Sequence, residues 1–213
     1  MQAIDSHAID TLGIPRLLLM DHAGLAVARA VQTAAPVVST PILICCGTGY
    51  NGGDGLAAAR HLAAWGYPVR AILTGRLNHL REEPAAFARI VQALGLEIRE
   101  CASAGDAAGC EPWFAQAGAI VDALLGIGTQ GAVREPAASL IVRINASRAP
   151  VISADVPSGL DGDTGHAQGA AVRATATVTF GLPKRGLFAA DGPAHAGSLI
   201  IDPITIPQRL LTP

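Results

Sequence analysis

Short apolar runs that stop abruptly at glycine or aspartate recur along this chain, most of them followed by a stretch with helical periodicity. The clearest case is 41–62, PILICCGTGYNGGDGLAAARHL, where mostly apolar positions give way to a glycine-rich turn and then to an alanine-rich helical pattern. That order predicts a buried strand over 42–46, a backbone-exposing turn and a helix near 52–65. A second strand at 69–74 completes a βαβ unit, and right-handed crossover makes its strands parallel neighbours. Downstream the pattern predicts a helix over 82–94, a short strand at 96–99, a brief helix at 111–117 after a Gly/Ala/Ser loop, and a strand at 119–121 ending at Asp122. A glycine-rich loop at 126–131 then leads into a helix over 136–147 and a strand at 151–154 ending at Asp155.

Upstream, a short helical stretch capped by Ser6 precedes Gly13-Ile14-Pro15, and a longer helix begins at Pro15 or Arg16, where proline is tolerated in the first turn. Leu18, Leu19, Ala23, Val27 and Val31 share one face of it, and Gly24 predicts close packing against a neighbour. Asp21 and His22 interrupt it, either as a solvated edge or as the border of a ligand cleft. In the last third, 172–180 alternates in β fashion and 198–201 reads as a final short strand. No repeat or low-complexity linker divides the chain, which predicts one domain over 1–213.

Composition narrows this to the α/β class. Half of the 213 residues are hydrophobic, 15% are charged and 4% aromatic, as expected of a Val/Ile/Leu/Ala sheet under small-residue helices. A net charge of −2 gives no basic surface for sequence-independent nucleic-acid binding. Cys45, Cys46, Cys101 and Cys110 show neither metal-site spacing nor a disulfide framework and are expected to be buried, reduced thiols. Asp5, His7 and Asp10 precede any apolar run and Arg29 interrupts the longest early one, so neither a secretory signal nor a membrane span is expected, and the protein is expected to be cytoplasmic.

Candidate chemistry collects at three strand ends: Asn51 with Asp54, Asp122 with the loop to Gly131, and Asp155 with Ser158. Each alone is an ordinary turn or cap arrangement. In a parallel doubly wound sheet, however, the carboxyl ends share one edge, where ligands bind at the topological switch point, and this places the three clusters in one crevice. Gly47, Gly49 and Gly52 formally satisfy GxGxxG, which keeps an NADP-dependent oxidoreductase as one alternative. The acid expected at the end of the second strand is missing. Arg76 stands near that place and could meet a 2′-phosphate. Asp54, read as a first-turn residue of the helix, would repel a bound pyrophosphate and is better explained by hydroxyl or amide recognition.

Taken together, LMDHAG at 19–24, GTGYNGGDG at 47–55, VDALLGIGTQG at 121–131, ADVPSGLDGDTG at 154–165 and TFGLPKRGLF at 179–188 resemble the NAD(P)H-hydrate epimerases, the YjeF N-terminal domain family. The resemblance implies a Rossmann-like α/β three-layer sandwich with a mostly parallel central sheet. It also implies an isomerase that interconverts the R and S forms of hydrated NADH and NADPH, which carry a hydroxyl at carbon 6 of the nicotinamide ring. A separate dehydratase that accepts only the S form would complete the repair, since no C-terminal dehydratase domain is expected here, and a homodimer is expected. Carried over residue by residue, the substrate contacts are Tyr50, Asn51, Gly52, Gly53 and Asp54, the loop Gly126, Ile127, Gly128, Thr129, Gln130, Gly131 and Ala132, and Asp155. A potassium ion would be held by Asn51, Asp122 and Ser158. Oxygen-rich side chains suit such a hard cation.

Two positions depart from the family pattern. Tyr50 replaces an asparagine, and its ring could stack on a base or nicotinamide or shield the pocket. Asp21 replaces a glutamate. Epimerisation at carbon 6 requires the hydroxyl to leave and return, or the ring to open and close, and either path needs a proton donor and acceptor. Asp155 is the first candidate for that role, being the carboxylate not claimed by the cation, and Asp54 the second. Lys184 either stabilises negative charge, contacts a phosphate or is a solvated loop residue. A non-catalytic module on the same fold, binding a nucleotide or a protein, is the other alternative, favoured by Tyr50.

Overall fold

A computed structural model of the chain describes residues 2–128 and 131–211. Its centre is a seven-stranded sheet of β1 (Ile42–Cys46), β2 (Val69–Thr74), β3 (Glu97–Cys101), β4 (Ala119–Ala123), β5 (Val151–Ala154), β6 (Ala176–Phe180) and β7 (Ser198–Asp202), in the order β3-β2-β1-β4-β5-β6-β7. Every neighbouring pair is parallel, so the expected mostly parallel sheet is parallel throughout. The helices are α1 (Gln2–Ser6), α2 (Arg16–Ala34), α3 (Tyr50–Ala64), α4 (Glu82–Ala93), α5 (Ala104–Gly109), α6 (Glu111–Gln116), α7 (Ala137–Ala146), α8 (Gly192–Ala196) and α9 (Gln208–Leu211).

The continuous apolar character of β1 follows from burial on both faces. Ile42, Ile44 and Cys46 join the core under α2, α3 and α4, whereas Leu43 and Cys45 join a second core with Trp113, Phe114, Leu140, Ile141 and Ile144 of α6 and α7. All four cysteines are free and buried, as their apolar settings predict. Gly24 sets the approach of α2 to α3: a Cβ there would lie 2.4 Å from that of Ala57.

Several boundaries differ from the sequence reading, each for a local reason. α3 begins at Tyr50, two residues early, because Gly49 in an extended conformation already serves as its N-cap. α5 lies within the stretch expected to be a loop. A reciprocal capping box starts it, with Asp106 N–H donating to Ser103 Oγ at 3.2 Å and Ser103 N–H donating to Asp106 at 2.9 Å. Ser6 makes no side-chain cap; it joins α1 to a π-helical turn over His7–Thr11. Despite their alternation, residues 172–175 are outside the sheet. Val172 N–H donates to Ser158 O at 2.9 Å and Gln168 N–H to Gly159 O at 2.8 Å, so this segment straps the loop that follows β5.

The strand order reverses between β1 and β4. Their carboxyl ends, with that of β5, therefore frame one crevice at the switch point. Among the described residues no helix is long and apolar enough to cross a membrane.

Candidate active site at the carboxyl edge of the sheet

A cleft of about 710 Å³ opens there. The turn after β1 (Gly47 to Asn51), the turn after β4 (Leu124 to Gly128), Asp54, Asp155 and Lys184 line it from the sheet side. Arg16, Leu19, Met20 and Ala23 of α2, with Asp5, Ser6 and Ile9, close the other side. α2 thus borders the cleft, but not through Asp21, which pairs instead with Arg60 and His61 of α3.

The glycines of the formal GxGxxG match include two that bring protein backbone onto protein backbone. A Cβ on Gly47 would fall 2.0 Å from Leu124 O, and one on Gly52 would fall 1.8 Å from Gly47 O. Gly53 is packed likewise against Met20 and Pro84. Gly52 and Gly53 therefore shape the turn, and neither is among the cleft-lining residues. Asn51 is nearly buried and donates through Nδ2 to Leu125 O at 2.9 Å, tying the β1 turn to the β4 turn.

At the cleft floor Asp155 has a left-handed backbone, φ 66°, a conformation Asp tolerates better than most residues. Its N–H donates to Val178 O at 2.7 Å, and its carboxylate accepts from Phe180 N–H at 3.2 Å and ion-pairs with Lys184. Lys184 is not a solvated loop lysine. It is 8% exposed, and its ammonium also donates to Phe180 O at 2.9 Å and Thr179 Oγ1 at 3.3 Å. Asp155 is thus free of the proposed cation cluster but has a lysine partner that the sequence reading did not assign.

Asp54 lies in the second turn of α3, not the first, and its carboxyl makes no hydrogen bond or ion pair among the described residues. Burial first, and the Asp155 charge second, push its carboxyl well above the usual carboxylate range, against the opposing pull of Lys184. Asp5 is a third carboxylate at this floor, likewise raised by burial. Its only signal in the sequence is the helical spacing to Ile9, which lines the same cleft.

Beneath the β4 turn lies a second cluster. Asp122 is fully buried, and its carboxylate accepts from Ser153 Oγ at 2.8 Å, Ser158 N–H at 2.8 Å and Ser158 Oγ. Burial raises its pKa, countered by these donors, and no cationic side chain pairs with it among the described residues. Ser158 Oγ also accepts from Leu125 N–H at 2.9 Å and stands 3.3 Å from Leu125 O. One hydroxyl proton cannot serve both Asp122 and Leu125 O, so oxygen faces oxygen beside Asn51. An uncompensated buried carboxylate among oxygen donors fits a hard monovalent cation. Among the described residues no group of three His, Cys, Asp or Glu competes for a softer one.

Of the loop contacts expected after β4, Gly126, Ile127 and Gly128 line the cleft; Gly131 and Ala132 are exposed and do not, and Thr129 and Gln130 lie outside the described residues. Arg76 pairs with Glu100 at 3.3 Å and is not among the lining residues. Tyr50 is at the mouth of the cleft, with the guanidinium carbons of Arg16 and Arg81 4.6 and 4.8 Å from its ring centroid.

The family model described as YjeF-related protein N-terminus matches residues 16–186. The bifunctional NAD(P)H-hydrate repair enzyme Nnr of Pyrobaculum aerophilum is 46% identical over 211 residues, covering 98% of this chain and 41% of that protein. Its namesake in Salinibacter ruber is 38% identical, covering 99% and 40%. The chain thus spans about two-fifths of the length of these bifunctional relatives. The NAD(P)H-hydrate epimerase of Limosilactobacillus fermentum is 39% identical, covering 94% of this chain and 92% of that protein. The crystal structure of the yeast protein YNL200c shares the fold, with a TM-score of 0.84 at 23% identity over 98% of this chain and 88% of that one. With four-fifths of its length matched by that model, the chain belongs to the family of the YjeF-related protein N-terminus.

Proposed function

We propose that this chain epimerises hydrated NADH and NADPH, the activity named for its Limosilactobacillus relative, and that it does so at the hydroxyl-bearing carbon 6. The observation that carries the reading is the cleft floor. A carboxyl group that burial keeps toward its neutral form, Asp54, shares one pocket with a carboxylate ion-paired to lysine, Asp155. Two carboxyl groups in contrasting environments are what a reaction needing both a proton donor and an acceptor requires.

In the step proposed, Asp54 donates its proton to the carbon 6 hydroxyl as the C–O bond breaks. Water leaves and the ring-nitrogen lone pair forms an iminium bond to carbon 6. Water then adds to the opposite face, its proton passing to a floor carboxylate, and no electrons are exchanged with an outside partner. The Asp155 carboxylate stabilises the transient positive ring and takes the proton of the incoming water, while Lys184 holds Asp155 in place. Asn51, Asp122 and Ser158 would hold potassium, which would supply the positive charge Asp122 lacks and fix the two turns that form the floor. The S epimer is then the substrate of a dehydratase.

Incubating the purified protein with R-hydrate in potassium buffer and resolving the two epimers by chromatography tests the reading. The R and S peaks should reach the same fixed ratio from either starting epimer. An R peak that stays unchanged, with the nucleotide still bound, would instead identify a binding module.

A further inference from the structure

The cleft changes in charge along its depth. Its floor pairs the Asp155 carboxylate with Lys184 beside Asp5 and Asp54, whose carboxyls burial holds toward the neutral form, whereas its rim carries the cations Arg16 and Arg81, both within 5 Å of the Tyr50 ring centroid. The two guanidinium carbons are consequently no more than about 9.4 Å apart, although like charges repel and a cation–π contact at an exposed site returns little. Arg16 holds Glu83 at 3.6 Å, and Arg81 has no carboxylate partner among the described residues. The helices beginning here, α2 at Arg16, α3 at Tyr50 and α4 just after Arg81, have no side-chain cap, so their positive ends add to the same sign. Along α3, Tyr50 and Asp54 are four residues apart, a rise of about 6 Å. A single ribose spans such a distance.

We propose that Arg16 and Arg81, arrayed on the Tyr50 ring, clamp the diphosphate of the dinucleotide and so orient the substrate, phosphates at the rim and nicotinamide ring on the acidic floor. The assignment rests on the dinucleotide reading above. It gives Tyr50, where the family pattern has asparagine, a positioning role: its ring organises the two cations. A planar guanidinium suits phosphate oxygens through paired N–H donors, and phosphates held at the rim stay clear of the Asp155 carboxylate on the floor.

Titration calorimetry with ADP-ribose, 2′-phospho-ADP-ribose and adenosine tests the clamp on wild type, Arg16→Met and Arg81→Met, changes that keep the aliphatic stem. Either variant should bind both diphosphate ligands about tenfold more weakly, with a shallower salt dependence and adenosine binding unchanged. In turnover, KM for the hydrate should rise by the same factor with kcat unchanged, as expected for binding energy equal in ground and transition states. Tyr50→Asn, which removes the ring that arrays the two cations, should weaken both diphosphate ligands by less than either arginine variant does. Wild type that does not bind ADP-ribose, variants that bind it as wild type does, a loss confined to the 2′-phosphorylated ligand, or an equal loss for adenosine would each overturn the clamp. If wild type binds ADP-ribose with the expected variant pattern but never converts R-hydrate, the epimerase reading falls and the clamp stands. Conversion with an unchanged KM in Arg81→Met overturns the clamp and leaves the epimerase reading standing.

Discussion

Replacing Lys184 with methionine keeps most of its aliphatic packing but removes the ammonium that Asp155, Phe180 O and Thr179 Oγ1 share. The two side chains are 7% and 13% exposed, so the pair is little screened, and removing one member leaves a largely desolvated charge behind. Breaking a buried pair costs about 3–5 kcal/mol. Some solvent reaches Asp155, so the lower end applies: about 3 kcal/mol, or a fall in Tm of about 10 °C for a chain of this size. Asp155→Asn is milder, because asparagine suits the left-handed backbone and its Oδ1 can still accept from lysine. In the Asp155→Asn background Lys184→Met should cost only about 1 kcal/mol, a coupling of about 2 kcal/mol in urea denaturation. Equal costs in both backgrounds would show that the two residues do not depend on each other, and would refute the ion-paired floor.

Asp54 has a folded pKa above its unfolded one, so its contribution to stability is complete below about pH 4 and is lost as pH rises through the folded value. Asp54→Asn should therefore flatten the decline of the urea midpoint above pH 4 while lowering epimerisation by about 10²–10⁴-fold; an unchanged slope would contradict the raised carboxyl. Asp122→Asn removes the buried uncompensated charge, so the gain in Tm that wild type shows on exchanging choline for potassium chloride should vanish, and equal gains would remove potassium from this site. Gly47→Ala places a Cβ 2.0 Å from Leu124 O and should cost about 3 kcal/mol in urea denaturation by forcing the β1 and β4 turns apart; a near-neutral change would contradict that packing.

The sheet was legible because burial on both faces writes uninterrupted apolar runs such as that of β1, and the polar residues ending β1, β4 and β5 converge once those strands are parallel. Lys184 was not legible. Between the turn signals of GLPKRGLF it reads as solvated, and only the return of that segment over the end of β5 buries it. Gly52 and Gly53 were legible only as points of close approach, since glycine does not say whether a ligand or another part of the protein comes near. Residues 172–175 alternate as a strand should, yet nearby hydrogen bonds run to the loop after β5, a tertiary choice local pattern does not record. Asp5 carried no motif at all, and only the fold of the N-terminal helix brings it to the cleft.

The central claim is that Asp155 takes part in proton transfer at the cleft floor. Its most direct test is the rate at which Asp155→Asn, shown by circular dichroism and urea denaturation to be folded, converts purified R-hydrate to S-hydrate at neutral pH in potassium buffer. The account predicts a loss of at least about 100-fold in kcat relative to wild type. Conversion at the wild-type rate would contradict it.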